Sequence, residues 1–271
     1  MIKNYLITGD THGRVMERLT EIFGRYEASE TALIILGDAG FNFYLNNTDR
    51  NLKKKVNNTG YTIYCVRGNH EERPENIHGM ESWYDVDIEG LVYREEAYPN
   101  IRYLMDGHAY LFNNHPTLII GGAYSVDKWY RLSKKQSNGW TGWFEEEQLS
   151  PEEMEDISKR HSGKHYDFIW SHTCPISWEP RDLFLSAIDQ STVDKSMEKW
   201  LDDFKNHINW NVWLFGHYHD DRLVRPGAEM FYGDIENLED VYQRWTSGNE
   251  PEWYLKKDPN YYMEEGNGLN G

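Results

Sequence analysis

Five short apolar runs end abruptly in glycine or polar residues, and this pattern predicts buried strands. The runs cover residues 5–8, 31–36, 61–66, 166–170 and 212–215. Between the first three runs lie two predicted helices: an amphipathic one over 14–26, from its spacing of apolar residues, and a short polar one over 49–57. Strands that alternate with helices in this way are typical of a parallel sheet covered by helices, so the pattern predicts an α/β fold.

The middle of the chain has a different pattern. We expect a loop over residues 72–84, followed by short β-like runs at 86–98, 101–105, 109–112 and 117–120 that are separated by Pro, Gly and Asn turns. This spacing predicts a second, largely antiparallel sheet. Farther on, Ser150, Pro151 and Glu153 form a helix-start signature, so a helix is expected from there to about His161. A further helix is expected over 193–208.

Composition limits the classes of protein that fit. The chain has 271 residues, 39% of them hydrophobic, enough for a sizeable core. The net charge of −17 argues against a binder of duplex nucleic acid, which normally has a basic face. Cys65 and Cys174 lie in apolar runs and are expected to be reduced thiols. With no signal peptide and no run long enough to span a bilayer, we expect a cytoplasmic protein and no membrane partner.

The end of the chain is acidic and aromatic. We therefore expect one domain over residues 1–235 and an extension over 236–271. Trp245, Trp253, Tyr254, Tyr261 and Tyr262 predict that the extension packs on the core, whereas its glycine-rich last residues should be mobile.

Metal-ligating side chains follow each of the five apolar runs. In chain order they are Asp10 and His12, Asp38, Asn69 and His70, His172, and His217 and His219. Carboxyl ends of strands meet at one edge of an α/β sheet, where ligands bind. Carboxylate and imidazole both bind first-row divalent metals. Each motif alone is common, but the ordered set indicates a metal centre.

Together these motifs resemble the signature of the calcineurin-like metallophosphoesterase superfamily over roughly residues 5–235. The matching segments are Gly9-Asp10-Thr11-His12, Gly37-Asp38, Gly68-Asn69-His70-Glu71, His172 and Gly216-His217-Tyr218-His219. The resemblance implies a four-layer α/β sandwich in which helices flank two central mixed β-sheets. It also implies two divalent metal ions, with manganese favoured and iron, zinc or nickel as alternatives.

The same resemblance assigns roles to the residues. Asp10, His12 and His219 would hold the first metal ion. Asn69, His172 and His217 would hold the second, and Asp38 would bridge the two with its carboxylate oxygens. A hydroxide shared by the two ions would attack phosphorus, and His70 would protonate or orient the leaving-group oxygen. The alternative for His70 is an ordinary loop histidine.

One difference from the Ser/Thr protein phosphatases of this superfamily narrows the class of substrate that we expect. Residues 37–43 lack the second aspartate and the arginine that Ser/Thr protein phosphatases carry at this motif. We therefore expect a small phosphomonoester or phosphodiester, with a nucleotide-type substrate favoured. A protein phosphatase-like enzyme and a nuclease remain alternatives. A metal-containing binding or regulatory module without catalysis is a third, from a different class.

Substrate contacts are expected from side chains outside the metal motifs. Arg131 and Arg181 are the candidates for binding phosphate, although either could be a solvated surface charge. Phe41 offers a stacking surface near the metals, or else ordinary packing. Tyr124 begins an aromatic insert, residues 124–143, which would form either a rim over the site or a small separate core. The oligomeric state is not predicted.

Overall fold

The computed structural model describes residues 1–134, 139–140, 142–186 and 188–248. The strands are β1 Asn4–Thr8, β2 Thr31–Ile35, β3 Thr62–Cys65, β4 Met80–Asp85, β5 Gly90–Glu95, β6 Ile101–Leu104, β7 Ala109–Phe112, β8 His115–Ile120, β9 His165–Ser171, β10 Asn209–Phe215, β11 Arg222–Arg225, β12 Ala228–Met230 and β13 Glu236–Asn237. The helices are α1 Val15–Ile22, α2 Asn47–Asn57, α3 Lys128–Ser133, α4 Pro151–His161, α5 Ser196–Phe204 and α6 Leu238–Thr246.

These strands form two mixed sheets. The first has the order β13-β1-β2-β3-β6-β5-β4, and the second has the order β11-β12-β10-β9-β8-β7. The expectation of a largely antiparallel second sheet is wrong, because β8, β9, β10 and β12 run parallel to one another. Short turns do give antiparallel pairs at β4–β5 and β7–β8, but β4 to β6 extend the first sheet instead. The parallel pairs depend on long crossover connections, and turn residues in the sequence do not indicate these.

Helices cover the outer face of each sheet, which confirms the four-layer α/β sandwich. Alternate residues of each central strand point to opposite layers, so Ile34 and Trp170 meet in the core between the sheets. Leu33 faces outward and packs with Leu19 of α1. On the other side, Ile169 packs beneath α4 and α5. Both faces of the central strands are therefore buried, which explains their continuous apolar runs.

Several boundaries differ from the expected ones. Helix α1 stops at Ile22 because Gly24 takes a left-handed φ of 74°. Helix α5 covers only part of the expected 193–208 segment. The loop expected over 72–84 is wrong from Met80 onward, where pairing with β5 makes a strand. At α4 the Ser150–Glu153 capping box is present, and this helix start is confirmed.

The start of the C-terminal segment packs against the core. Strand β13 pairs antiparallel with β1, and α6 buries Leu238 and Val241 between the sheets. Trp253, Tyr254, Tyr261 and Tyr262 lie outside the described residues, so the division at residue 235 stays a prediction. None of the helices in the described part of the chain has the length and apolar character that a bilayer span requires.

Candidate metal centre

The fold brings the seven predicted ligands to one place. Asp10 and His12 follow β1, Asp38 follows β2, Asn69 follows β3, His172 follows β9, and His217 and His219 follow β10. All of them therefore lie at the carboxyl edges of the two sheets. Asp10, Asp38, Asn69 and His172 are almost completely buried, whereas His12 and His219 face the solvent side. The cluster thus has a closed floor and an open top.

Around Asp10 lies the first set of side chains. Its Oδ2 is 3.3 Å from His219 Nε2 and 3.7 Å from His12 Nε2, and the two imidazole nitrogens are 2.9 Å apart. Asp10 Oδ1 accepts the backbone N–H of His217 at 2.9 Å. Oδ2 is buried and finds no hydrogen bond of suitable geometry among the described residues. A buried carboxylate oxygen beside two imidazoles fits a metal ion, which would satisfy all three.

A second set surrounds Asn69. His172 Nδ1 donates to the Leu36 carbonyl at 2.8 Å, which leaves a lone pair on Nε2. That nitrogen lies 2.8 Å from Asn69 Oδ1, and His217 Nδ1 lies 3.2 Å from the same oxygen. The Asn69 amide is oriented by donating to Ser125 Oγ at 2.8 Å. Electron pairs from Asn69 and His172 therefore converge, an arrangement that favours a cation between them.

Asp38 lies between the two sets. Its Oδ2 is 3.8 Å from His12 Nδ1 and 3.7 Å from His172 Nε2. The other oxygen, Oδ1, accepts the backbone N–H of His70 at 2.8 Å. Only one carboxylate oxygen of Asp38 therefore faces both sets, whereas both oxygens were expected to bridge the two metal ions.

The protonation preferences of the cluster follow from burial and from its neighbours. Burial raises the pKa of Asp38, but the combined effect of His70, His172 and His12 is larger and opposite. The pKa of Asp38 therefore lies well below its usual range. Burial and the nearby His172 lower the pKa of His217 to about 3. The Asp10 carboxylate, whose Oδ2 lies 3.3 Å from His219 Nε2, raises the pKa of His219. Metal ions bind deprotonated ligands, so binding here would release a proton from His219 when it is charged.

The loops that carry these side chains are strained. His12, Asp38, His217 and His219 all have positive φ, between 44° and 71°. Non-glycine residues rarely adopt this conformation, and it is concentrated at functional sites.

Two glycines allow the loops to approach each other closely. A Cβ on Gly37 would lie 2.0 Å from His172 Nδ1, and one on Gly68 would lie 1.9 Å from Asp38 Oδ1. The Gly-Asp and Gly-Asn pairs of the sequence thus reflect steric need beside the ligands.

His70 and Arg131 lie together above the cluster. The His70 ring is 5.9 Å from the His12 ring, and its Nε2 is 3.5 Å from Arg131 Nη2. Arg131 is held by Asp127, which accepts from Nε at 2.7 Å, and by the Gly142 carbonyl. Burial lowers the pKa of His70 and the Arg131 charge adds to this effect, whereas Asp38 opposes it. A phosphate oxygen at this point would contact both side chains.

A cleft of about 970 Å³ opens from this cluster. His70, Arg131 and Tyr124 line it, as does Phe43. Phe41 does not, because it is fully buried against α1 and α2. Arg181 is exposed and lies outside the cleft lining. The structure therefore brings two of the four expected substrate residues to the site.

Sequence reasoning missed one wall of the cleft. Leu183, Phe184 and Leu185 form an apolar surface there, and Lys195 and Glu198 lie beside it. From the sequence, Glu198 is an ordinary acidic residue in the first turn of α5, so no signal there indicates that it lines the cleft. Residues 183–185 have no signal either, because no periodic pattern surrounds them.

Comparisons with known proteins identify a family whose match covers this cluster. A family model described as calcineurin-like phosphoesterase matches residues 3–221, which include every residue of the cluster. No curated protein matches the sequence. Among solved structures 17 chains match. One is similar to this chain over 95% of its own length and 97% of the other: the phosphopantetheinyl hydrolase PptH from Mycobacterium tuberculosis, at 12% identity and a TM-score of 0.42.

Proposed function

The chain belongs to the calcineurin-like phosphoesterase family and is a hydrolase of phosphate esters, and we propose that it works with two divalent metal ions held by the seven clustered side chains. The proposal rests on one observation above all. Asp38 Oδ2 faces both a set of side chains around Asp10 and a set around Asn69, at nearly equal distances. One carboxylate between two sets of donors is what a pair of bridged ions requires.

The donor sets fit divalent transition metals. Asp10, His12 and His219 would hold one ion, and Asn69, His172 and His217 the other, with Asp38 shared. The imidazoles suit iron, zinc or nickel, and the carboxylate and amide oxygens also suit manganese, whereas calcium and magnesium prefer all-oxygen sets. We propose manganese as the ion to test first. When bound, such ions supply Lewis acidity that activates water and neutralises phosphoryl oxygens.

Two side chains above the cluster would act on the substrate directly. Arg131 Nη2, oriented by Asp127, would bind a phosphoryl oxygen. His70 Nε2 would hold the proton that the leaving-group oxygen receives as its bond to phosphorus breaks. The backbone N–H of His70 is bound to Asp38 Oδ1, so the loop that carries the proton donor is fixed to the carboxylate shared by the two sets.

The substrate that we propose is a small phosphomonoester or phosphodiester. Phe43, Tyr44 and Tyr124 give the cleft aromatic surface for a planar group, which supports a nucleotide-type substrate. The protein phosphatase alternative is disfavoured by the residues missing from 37–43, and a nuclease by the charge of −17. A module that keeps metal without catalysis would bind the ions and hydrolyse nothing.

The test is hydrolysis of p-nitrophenyl phosphate and its bis-ester after chelation and reconstitution with Mn²⁺. We expect turnover in the wild type and a loss of about 100-fold or more in Asp38→Asn, which weakens the shared ligand. Asp85→Asn is the matched control, because Asp85 is as buried as Asp38 but does not line the cleft and accepts from Tyr64 and Arg102. Metal-loaded protein that hydrolyses neither ester would contradict the proposal and favour the silent module.

A further inference from the structure

The cleft has an apolar wall, formed by Leu183, Phe184 and Leu185. This wall is continuous with the metal cluster, because the Phe184 ring stacks on Tyr218, 6.5 Å between centroids and 20° between planes. Tyr218 stands between His217 and His219 in the chain. Leu185 is 65% exposed, so most of its side chain is available to a group bound in the cleft. A group attached to a phosphate at the cluster would extend along this wall.

The cleft has few positively charged side chains with which to bind a substrate that carries several negative charges. Among the described residues that line the cleft, the basic side chains are Arg131 and Lys195. Each is paired with a carboxylate, Arg131 with Asp127 and Lys195 with Glu179, at 2.7 and 2.6 Å. Lys195 also lies over the Phe184 ring, 4.5 Å from its centroid. Beyond the phosphoryl group at the metal cluster, the cleft therefore offers no surplus positive charge for a second phosphate.

The nearly buried carboxyl group of Glu198 also lines the cleft. Its Oε1 accepts the Thr173 hydroxyl at 2.9 Å, and its Oε2 has no hydrogen-bond partner among the described residues. This side chain supplies no positive charge, so a further negative charge on the substrate would find no partner at Glu198.

We propose that this wall binds the leaving group of the substrate, and that the ester hydrolysed has one phosphoryl group and a leaving group that is uncharged and largely apolar. The inference rests on the proposed function and, among the small phosphate esters proposed there, favours those with an apolar leaving group over nucleotides. Nucleoside di- and triphosphates and nucleic acids would then be poor substrates. Each methylene that the wall buries should raise kcat/KM by up to about fourfold.

The experiment measures phosphate release from n-alkyl phosphates from ethyl to octyl, with Mn²⁺-loaded full-length enzyme. We expect kcat/KM to rise with chain length in the wild type. A hexyl phosphate with a terminal carboxylate should be a poorer substrate than heptyl phosphate. Leu185→Ser should flatten the rise. Leu91→Ser is the matched control, since Leu91 is an exposed leucine of β5 that does not line the cleft, and it should keep the wild-type slope.

The outcomes separate this inference from the proposed function. A flat series in the wild type, or equal slopes in wild type and Leu185→Ser, would overturn the inference while hydrolysis of p-nitrophenyl phosphate still supports the proposed function. Equal flattening by Leu91→Ser would also overturn it. If the loaded enzyme hydrolyses no ester at all, the proposed function fails, and this inference fails with it.

Discussion

Glu198 provides a prediction whose size follows from the structure. The side chain is only 4% exposed on α5, and burial raises its pKa from the usual 4.5 to about 7 against the effect of its hydrogen bonds. Between these two values the folded state binds more protons than the unfolded state does. The contribution of Glu198 to the free energy of unfolding therefore falls as the pH rises from 4.5 to 7. Glu198→Gln keeps the acceptor for Thr173 and cannot ionise, so it should remove this loss.

The expected magnitude follows from the two pKa values. Each pH unit is worth about 1.4 kcal/mol, which gives a loss of about 3 kcal/mol across the range. Urea unfolding of wild type and Glu198→Gln at pH 5 and pH 8, both with chelator to remove metal linkage, measures it. The variant should gain about 2 to 3 kcal/mol relative to wild type between these pH values. Glu81→Gln, an exposed carboxylate on β4, should gain almost nothing.

If the difference between wild type and Glu198→Gln is the same at both pH values, Glu198 is not a buried carboxyl with a raised pKa. A difference that shrinks as the pH rises would reverse the sign and contradict the burial of this group.

Three further substitutions test other parts of the account. Gly68→Ala would place a Cβ 1.9 Å from Asp38 Oδ1, so Mn²⁺ affinity and ester hydrolysis should both fall by about 10-fold or more, while circular dichroism shows an intact fold. Asp221→Ala removes the acceptor of the Tyr232, Gly233 and Asp234 backbone N–H groups, and because the Tyr232 ring lies 5.0 Å from His219, a Mn²⁺ titration should show weaker binding. Phe41→Ala should lower the free energy of unfolding by about 3–5 kcal/mol with an unchanged KM for p-nitrophenyl phosphate, whereas a raised KM at full stability would indicate a substrate contact.

The clustering of the proposed metal ligands was predictable because it depends on local signals. Asp10, Asp38, Asn69, His172 and His217 each follow a buried strand, and parallel strands bring their carboxyl ends together. The layered fold follows from the same runs, since strands buried on both faces need helices on the outside.

Long-range pairing and side-chain direction were harder to predict. The assignment of β4 to β6 to the first sheet depends on β6 lying beside β3, a contact that no local pattern specifies. Phe41 and Phe43 are two residues apart on an irregular loop, where no period decides which one faces the core. The wall at residues 183–185 lies in an aperiodic segment, so only its packing against Tyr218 reveals it.

The number and coupling of bound ions tests the central claim most directly. Chelated protein would be reconstituted with Mn²⁺, its bound metal counted by elemental analysis, and its spin coupling followed by electron paramagnetic resonance. The account predicts two Mn²⁺ ions per chain with a coupled signal, and loss of that coupling in Asp38→Asn. Saturation at one ion per chain, or two uncoupled ions that Asp38→Asn leaves unchanged, would contradict it.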